Sequence, residues 1–168
     1  MSLSMYQASV PVFSHMLGVL SKILDKGAAY AEARKIEPSV LINDRLAPDM
    51  LPLSRQVQIA GDMAMRGAAR LAGVEFPSNP DIEATFPELQ QRVTKTLRFL
   101  GGISAKQIDG SEEKSISFKL GGEDVTFSGQ AYLLNFVLPN LYFHVTATYL
   151  ILRHNGVDLG KKDFLGGI

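Results

Sequence analysis

Apolar residues recur at every third or fourth position in four separate stretches of the chain, and this period is typical of an α-helix. It predicts helices over residues 3–26, 52–72, 87–100 and 130–154. The chain has 168 residues, which is close to the usual size of one domain. We therefore predict an all-α fold: an antiparallel four-helix bundle that forms a single domain over residues 1–168.

A long crossover is expected between the first and second helices. Gly27 is typical of a helix C-terminal cap, so the first helix is predicted to end there. Residues 28–36 and 38–44 are predicted to be short helices within the crossover. Three apolar side chains are expected to pin the crossover to the core: Leu46, Met50 and Leu51.

Two alternating runs of apolar and polar residues lie before the last helix. Ile116, Phe118 and Leu120 alternate with polar residues, the turn formers Gly121 and Gly122 follow, and Val125 and Phe127 alternate again. This pattern predicts a β-hairpin. Because an isolated hairpin is only marginally stable, we expect it to pack on the bundle.

Residues at the ends of the helices support these boundaries. Thr85 and Glu88 have the spacing of a capping box, which predicts the start of the third helix. Asn155 and Gly156 predict the end of the fourth. Pro139 is expected to kink the fourth helix, because proline removes a hydrogen bond inside a helix.

Composition excludes several classes of function. Lys and Arg number 17, as do Asp and Glu, so the net charge is zero and the basic excess of a nucleic-acid binder is missing. No basic cluster suggests a membrane surface. Polar residues interrupt the apolar stretch 5–24, so we interpret it as a buried helix rather than a signal peptide or membrane span. The chain has no cysteine, which is compatible with the cytoplasm that we predict.

A file of polar residues crosses the otherwise apolar fourth helix. Asn140, His144 and Thr148 are spaced at intervals of four and therefore lie on one face. Burying them is costly unless each has a hydrogen-bond partner. Two interpretations remain open: a structural file of satisfied hydrogen bonds, or the wall of a small polar pocket between helices.

Residues of the first and second helices are the candidate partners of this file. Gln58 and Asp62 are one turn apart on the second helix, and Asp62 could instead form a surface ion pair with Arg66. His15 lies beside the apolar stripe of the first helix, where it is either a pocket residue or a histidine at the edge of the core. The predicted ligand pocket comprises His144, Asn140, Thr148, Asp62, Gln58 and His15.

Three stretches together carry a resemblance to a known family: residues 5–24 (MYQASVPVFSHMLGVLSKIL), 46–60 (LAPDMLPLSRQVQIA) and 133–165 (LLNFVLPNLYFHVTATYLILRHNGVDLGKKDFL). The chain resembles a bacterial domain-of-unknown-function family of the DinB/YfiT-like superfamily of metalloenzymes. This resemblance implies a four-helix bundle with a long crossover and a homodimer.

The same resemblance bears on metal binding. Metal-binding members of the superfamily use one histidine on the second helix and a His-x-x-x-His pair on the last. Here His144 matches the first histidine of that pair, but Thr148 occupies the place of the second. The second helix has Gln56, Gln58 and Asp62 and no histidine. The resemblance therefore implies a lost or degraded metal triad.

Elementary geometry points the same way. His144 and His154 are separated by about 15 Å of helical rise, which is too far for one metal ion. We interpret His154 as a helix C-terminal residue that interacts with the last carbonyl groups. The best remaining ligand set is His144, Asp62 and His15. We predict no metal and no other cofactor.

Two functions of different classes remain. The first is a divergent small-ligand-binding protein or enzyme with its pocket at His144. The second is a non-catalytic structural or stress-related helical dimer. A cavity lined by the polar file favours the first, and a filled core there favours the second.

Overall fold

Helices make up most of the computed structural model, which describes residues 3–167, and a small two-stranded antiparallel sheet accompanies them. A π-helical segment directly precedes the last long helix. In chain order the elements are α1 (Val10–Arg34), α2 (Pro38–Ile42), α3 (Leu53–Ala72), α4 (Phe86–Gly101), α5 (Ala105–Ile108), β1 (Ser115–Leu120), β2 (Glu123–Ser128), α6 (Gly129–Ala131), the π-helical segment (Tyr132–Val137), α7 (Leu138–His154) and α8 (Lys161–Phe164).

Helix α3 is the centre of the packing. It makes its most extensive contacts with α7 and also packs against α4 and α1. Small side chains on its buried face allow this close approach: Ala60, Ala64 and Ala68 are fully buried. At Gly67 even a methyl group would come within 2.6 Å of the Val137 side chain. One continuous apolar core therefore joins the long helices.

The first helix begins and ends later than predicted. It begins at Val10, with Pro11 in its first turn, so its predicted start at residue 3 was wrong. It continues to Arg34, so residues 28–34 belong to it rather than to a separate short helix. Gly27 is buried inside the helix, where an added Cβ would lie 3.1 Å from Leu152 and 3.2 Å from Phe86. Its prediction as a cap was wrong, because this glycine serves close packing between helices.

The connection from α1 to α3 is held by residues other than those predicted. Leu41 and Ile42 on α2 are 1% exposed and join the core. Leu46 and Leu51 are 37% and 42% exposed, so their prediction as core anchors was wrong. Apolar character alone does not distinguish a core position from a position on an exposed apolar face.

The predicted capping box and hairpin are confirmed. Glu88 and Thr85 exchange the two bonds of a capping box at the start of α4. Strands β1 and β2 pair in antiparallel register with Phe118 opposite Val125. The Phe118 ring lies 5.6 Å from that of Tyr132 and 4.2 Å below the guanidinium of Arg70. The hairpin therefore packs on the helices through an aromatic cluster.

A π-helical segment precedes Pro139 and leads directly into α7. The kink predicted at Pro139 stays a prediction. Helix α7 ends before Asn155 and Gly156, as predicted. Among residues 3–167, no helix combines the length and apolar character that crossing a membrane requires.

Candidate functional site

His144 is buried where α7 packs against α3. Its Nδ1 atom lies 2.7 Å from Oε1 of Gln56. The amide nitrogen of Gln56 donates to the Leu51 carbonyl at 3.0 Å, which sets the orientation of the amide. Because Oε1 can only accept, Nδ1 of a neutral His144 carries the proton and donates it to Gln56. The other ring nitrogen, Nε2, is then unprotonated.

Burial lowers the pKa of His144 to about 4. The imidazole is therefore neutral at pH 7, and it is too weak a base for efficient proton abstraction near that pH. Within residues 3–167, Nε2 has no hydrogen-bond partner. The side-chain atoms that are both fully buried and without a partner are Arg66 Nε, Arg92 Nε and Ser111 Oγ. Nε2 is not one of these, so solvent reaches it. Nε2 can thus accept a single hydrogen bond from the solvent side.

The other two members of the polar file are satisfied within their own helix. Thr148 is fully buried, and its hydroxyl donates to the His144 carbonyl at 3.0 Å. The Asn140 amide donates to the Phe136 carbonyl at 2.6 Å. A cavity of about 280 Å³ lies along the neighbouring face of α7, but its lining does not include Asn140, His144 or Thr148. The polar file therefore does not line this cavity.

Gln58 and Asp62 lie in a different place, in an ion-pair cluster around Arg92. The Arg92 side chain is 1% exposed and is surrounded by carboxylates: Asp62 at 2.7 Å, Asp81 at 3.1 Å and Glu83 at 2.9 Å. The amide of Gln58 donates to Glu83 at 2.9 Å. This Arg92 cluster binds the loop after α3 to helices α3 and α4.

Two further arginines complete the Arg92 cluster. Arg55 pairs with Asp81, and Arg66 lies 2.8 Å from Asp62. Three cations thus face three carboxylates, which keeps the cluster neutral. Burial raises the pKa of Asp81, but hydrogen bonds from Arg55 and Arg92 outweigh it, so the net pKa is lowered. Every carboxylate is committed to arginine, which leaves little capacity to bind a ligand.

The remaining histidines lie apart from both groups. His15 is exposed on α1, with its ring beside Gly166 near the C-terminal end. His154 is exposed at the end of α7, with Nε2 3.4 Å from Asp44. The six candidate pocket residues therefore fall into three separate groups. Whether any of them binds a ligand stays a prediction.

Sequence reasoning missed Arg92 and did not pair Gln56 with His144. Arg92 had a usable signal, because it is three residues after Leu89 and four before Thr96, on the buried stripe of α4. An arginine on such a stripe requires carboxylate partners. Asp81 and Glu83 lie in a loop without periodicity, so their position had no comparable signal.

The donor atoms do not fit a metal ion. Nε2 of His144 is unpaired, but the other two members of the predicted set lie elsewhere, since Asp62 is paired with two arginines and His15 is exposed on α1. Within residues 3–167, no three His, Cys, Asp or Glu side chains are grouped so that they could hold a metal. Thr148 commits its hydroxyl to a backbone carbonyl, so it adds no ligand.

Comparison with known proteins identifies the family. Residues 5–165 match the model of DUF1993, a domain of unknown function. The chain belongs to this family. It is also similar to the crystal structure of a DinB family member protein from Shewanella denitrificans, with 42% identity and a TM-score of 0.88 over 97% of this chain and 92% of that one. The resemblance to a DinB-like domain-of-unknown-function family is thus confirmed. No curated protein matches the chain.

The first prediction for this DUF1993 chain concerns Arg92. Replacing it with methionine leaves three carboxylates without their shared cation, so we expect the free energy of unfolding to fall by about 3 kcal/mol. Urea denaturation followed by circular dichroism measures this. Arg98→Met is the matched control, because Arg98 is exposed on the same helix and forms no ion pair within residues 3–167. Equal losses in the two variants would contradict a structural role for the cluster.

The second prediction concerns pH. Between pH 6.5 and 4 the unfolded chain protonates its histidine, whereas folded His144 stays neutral, so stability should fall as pH falls through this window. From pH 7 to 5 we expect His144 to contribute a loss on the order of 1 kcal/mol, allowing for solvent near Nε2. Between pH 7 and 5, the free energy of unfolding of His144→Leu, measured by urea titration, should fall by that much less than that of the wild type. His15→Leu, the same change at an exposed position, is the matched control. An unchanged pH dependence in His144→Leu would contradict the prediction.

Proposed function

We propose that this DUF1993 protein is a non-catalytic homodimer of the cytoplasm that uses no metal or other cofactor. Its four long helices, α1, α3, α4 and α7, would form an antiparallel four-helix bundle in a single domain. The kinship with a DinB family member supports this architecture. The separation of His144 from Asp62 and His15 supports the non-catalytic part of the proposal, because it leaves one histidine nitrogen where a catalytic metal needs three protein ligands.

The exposed face of α7 supports the homodimer. Leu138, Tyr142, Thr146 and Leu150 are spaced by four residues and form a ridge along the helix. Tyr142 is 40% exposed, Leu150 is 38% exposed and the neighbouring Phe143 is 54% exposed. These side chains form a contiguous apolar face, and such a face on a soluble protein marks an interaction surface. This α7 face is the observation that carries the proposal.

The relief of the α7 face also supports the homodimer. A groove of about 280 Å³ runs on one side of the ridge, between it and Leu46 and Met50. A second groove, of about 190 Å³, lies near Tyr149 and Phe164. The face therefore carries both a ridge and grooves, so the ridge of one copy can enter a groove of the other about a twofold axis. Ridges of residues four apart pack in this way at a crossing angle of about −50°.

The exposure of Leu46 supports the same interface. Leu46 is an exposed apolar residue of the α2–α3 connection, and it lines the groove beside the ridge. Covering this groove with a second chain would bury Leu46, Met50 and Phe143 together. Burial of apolar surface is the main favourable term in association.

Sedimentation velocity tests the homodimer. At micromolar concentration the wild-type chain should sediment with twice the mass of one chain. Phe143→Glu should shift it to the monomer, because a charge in an apolar interface loses its hydration without gaining a partner. Ile82→Glu is the control: Ile82 is 77% exposed and lies in the loop before α4, so this variant should stay dimeric. A monomeric wild-type protein would contradict the proposal.

A small-ligand-binding function at His144 is the second candidate, and the unprotonated, solvent-reached Nε2 atom favours it. A hydrogen-bond-donating ligand would contact this atom next to the Phe143 ring, whose centre lies 5.2 Å from that of His144. Screening donor-bearing small molecules by thermal shift separates the two functions. A ligand that stabilises the wild type but not a folded His144→Leu variant would establish this second function; no such ligand would leave the homodimer as the function.

A further inference from the structure

A second cavity, remote from His144 and from the α7 face, lies at the C-terminal end of α1. It has a volume of about 540 Å³ and opens between the last turns of α1, the start of α2 and the start of α4. This volume is within the range of small-molecule sites. Apolar groups line most of it: Ala28, Ala31, Ile36, Pro38, Phe86 and Pro87. Its walls are thus suited to an apolar group of a ligand.

The charges at the mouth of this cavity are unbalanced. Glu32 and Glu37 line it as exposed carboxylates, and Lys35 is the single cation among the lining residues. None of the three forms an ion pair or a side-chain hydrogen bond with any part of residues 3–167. The mouth therefore carries a net charge of −1 that the protein itself leaves unneutralised.

The helix ends at the cavity add little net charge to its mouth. Helix α1 has 25 residues, and the partial negative charge of its C-terminal end is offset by Arg34 in its last turn and by Lys35. The opposite partial charge, at the start of α4, is already neutralised by Glu88. That carboxylate accepts hydrogen bonds from the backbone nitrogens of Ala84, at 2.8 Å, and Thr85, at 3.0 Å. Selection by charge at the mouth therefore depends on the carboxylates of Glu32 and Glu37.

The backbone at Lys35 shapes the cavity wall. Lys35 has a φ of 54°, and it is the one non-glycine residue with positive φ among residues 3–167. This left-handed turn lets the backbone nitrogen of Ile36 donate to the Ala31 carbonyl at 2.9 Å. The turn brings Ile36 and Glu37, which follow Lys35 in the chain, to the same cavity as Glu32, which precedes it. A left-handed lysine is less stable than glycine at the same position.

We propose that this cavity binds a small organic cation, with an apolar group against Ile36 and Phe86 and an ammonium at the carboxylates of Glu32 and Glu37. The apolar walls provide the hydrophobic part of the affinity, and the uncompensated carboxylates select the positive charge. Lys35 opposes the ligand charge and so limits the affinity. The site does not depend on dimerisation through the α7 face.

Titration of the full-length protein with hexylammonium, followed by amide chemical shifts in NMR, tests this inference. The amides of Ala31, Ile36 and Ala84 should shift. Hexanoate and hexanol, which have the same chain length, should bind more weakly, and methylammonium, which lacks the apolar group, should not bind at the same concentration. Equal binding of hexylammonium, hexanoate and hexanol would reduce the site to an unselective apolar cavity and overturn the proposal.

Variants at the mouth provide a second readout that does not disturb the core. Glu32→Gln and Glu37→Gln should each weaken hexylammonium binding about two- to fivefold, as expected for exposed ion pairs. Lys35→Gly should strengthen it and also raise the melting temperature, because glycine accepts the left-handed turn. Glu113→Gln, an exposed carboxylate away from the cavity, is the control and should leave binding unchanged. Unchanged affinity in both glutamate variants would show the proposal to be wrong.

Discussion

The close approach of α3 to α7 is the constraint on which the rest of this DUF1993 structure depends. Alanine and glycine on the buried face of α3 bring its backbone close to the neighbouring helices, and at Gly67 there is no room for a methyl group. Dispersion contacts fall off steeply with distance, so such close packing is a large source of stability.

The hydrogen bond between His144 and Gln56 forms in that narrow space. The two helices are near enough for the side chains to meet directly at 2.7 Å, without an intervening metal or water. The Leu51 carbonyl holds the Gln56 amide, and this in turn determines which imidazole nitrogen carries the proton. Close packing thus gives His144 a direct hydrogen-bond partner on α3.

Polar chemistry elsewhere in the molecule is also largely committed to structure. The Arg92 cluster uses all its carboxylates to hold a loop against two helices, and the charges of the cluster balance. Two largely apolar surfaces remain available. One is the α7 face with its ridge and grooves, and the other is the cavity at the end of α1, where carboxylates without ion pairs remain at the mouth. Recognition by this protein is therefore expected to begin with apolar contact and to use charge for selection.

Helical periodicity by itself determined the four long helices, and the alternating pattern around Gly121 and Gly122 determined the hairpin, because these are local properties of neighbouring residues. The capping box at Thr85 and the stop at Asn155 were equally local. The role of Gly27 was decided only by tertiary structure, since a glycine at a helix end and a glycine in close helix packing look alike in sequence. The same holds for the partner of His144 and for the carboxylates around Arg92. Those contacts join residues that are far apart along the chain, and their formation depends on interhelical distances that no local pattern encodes.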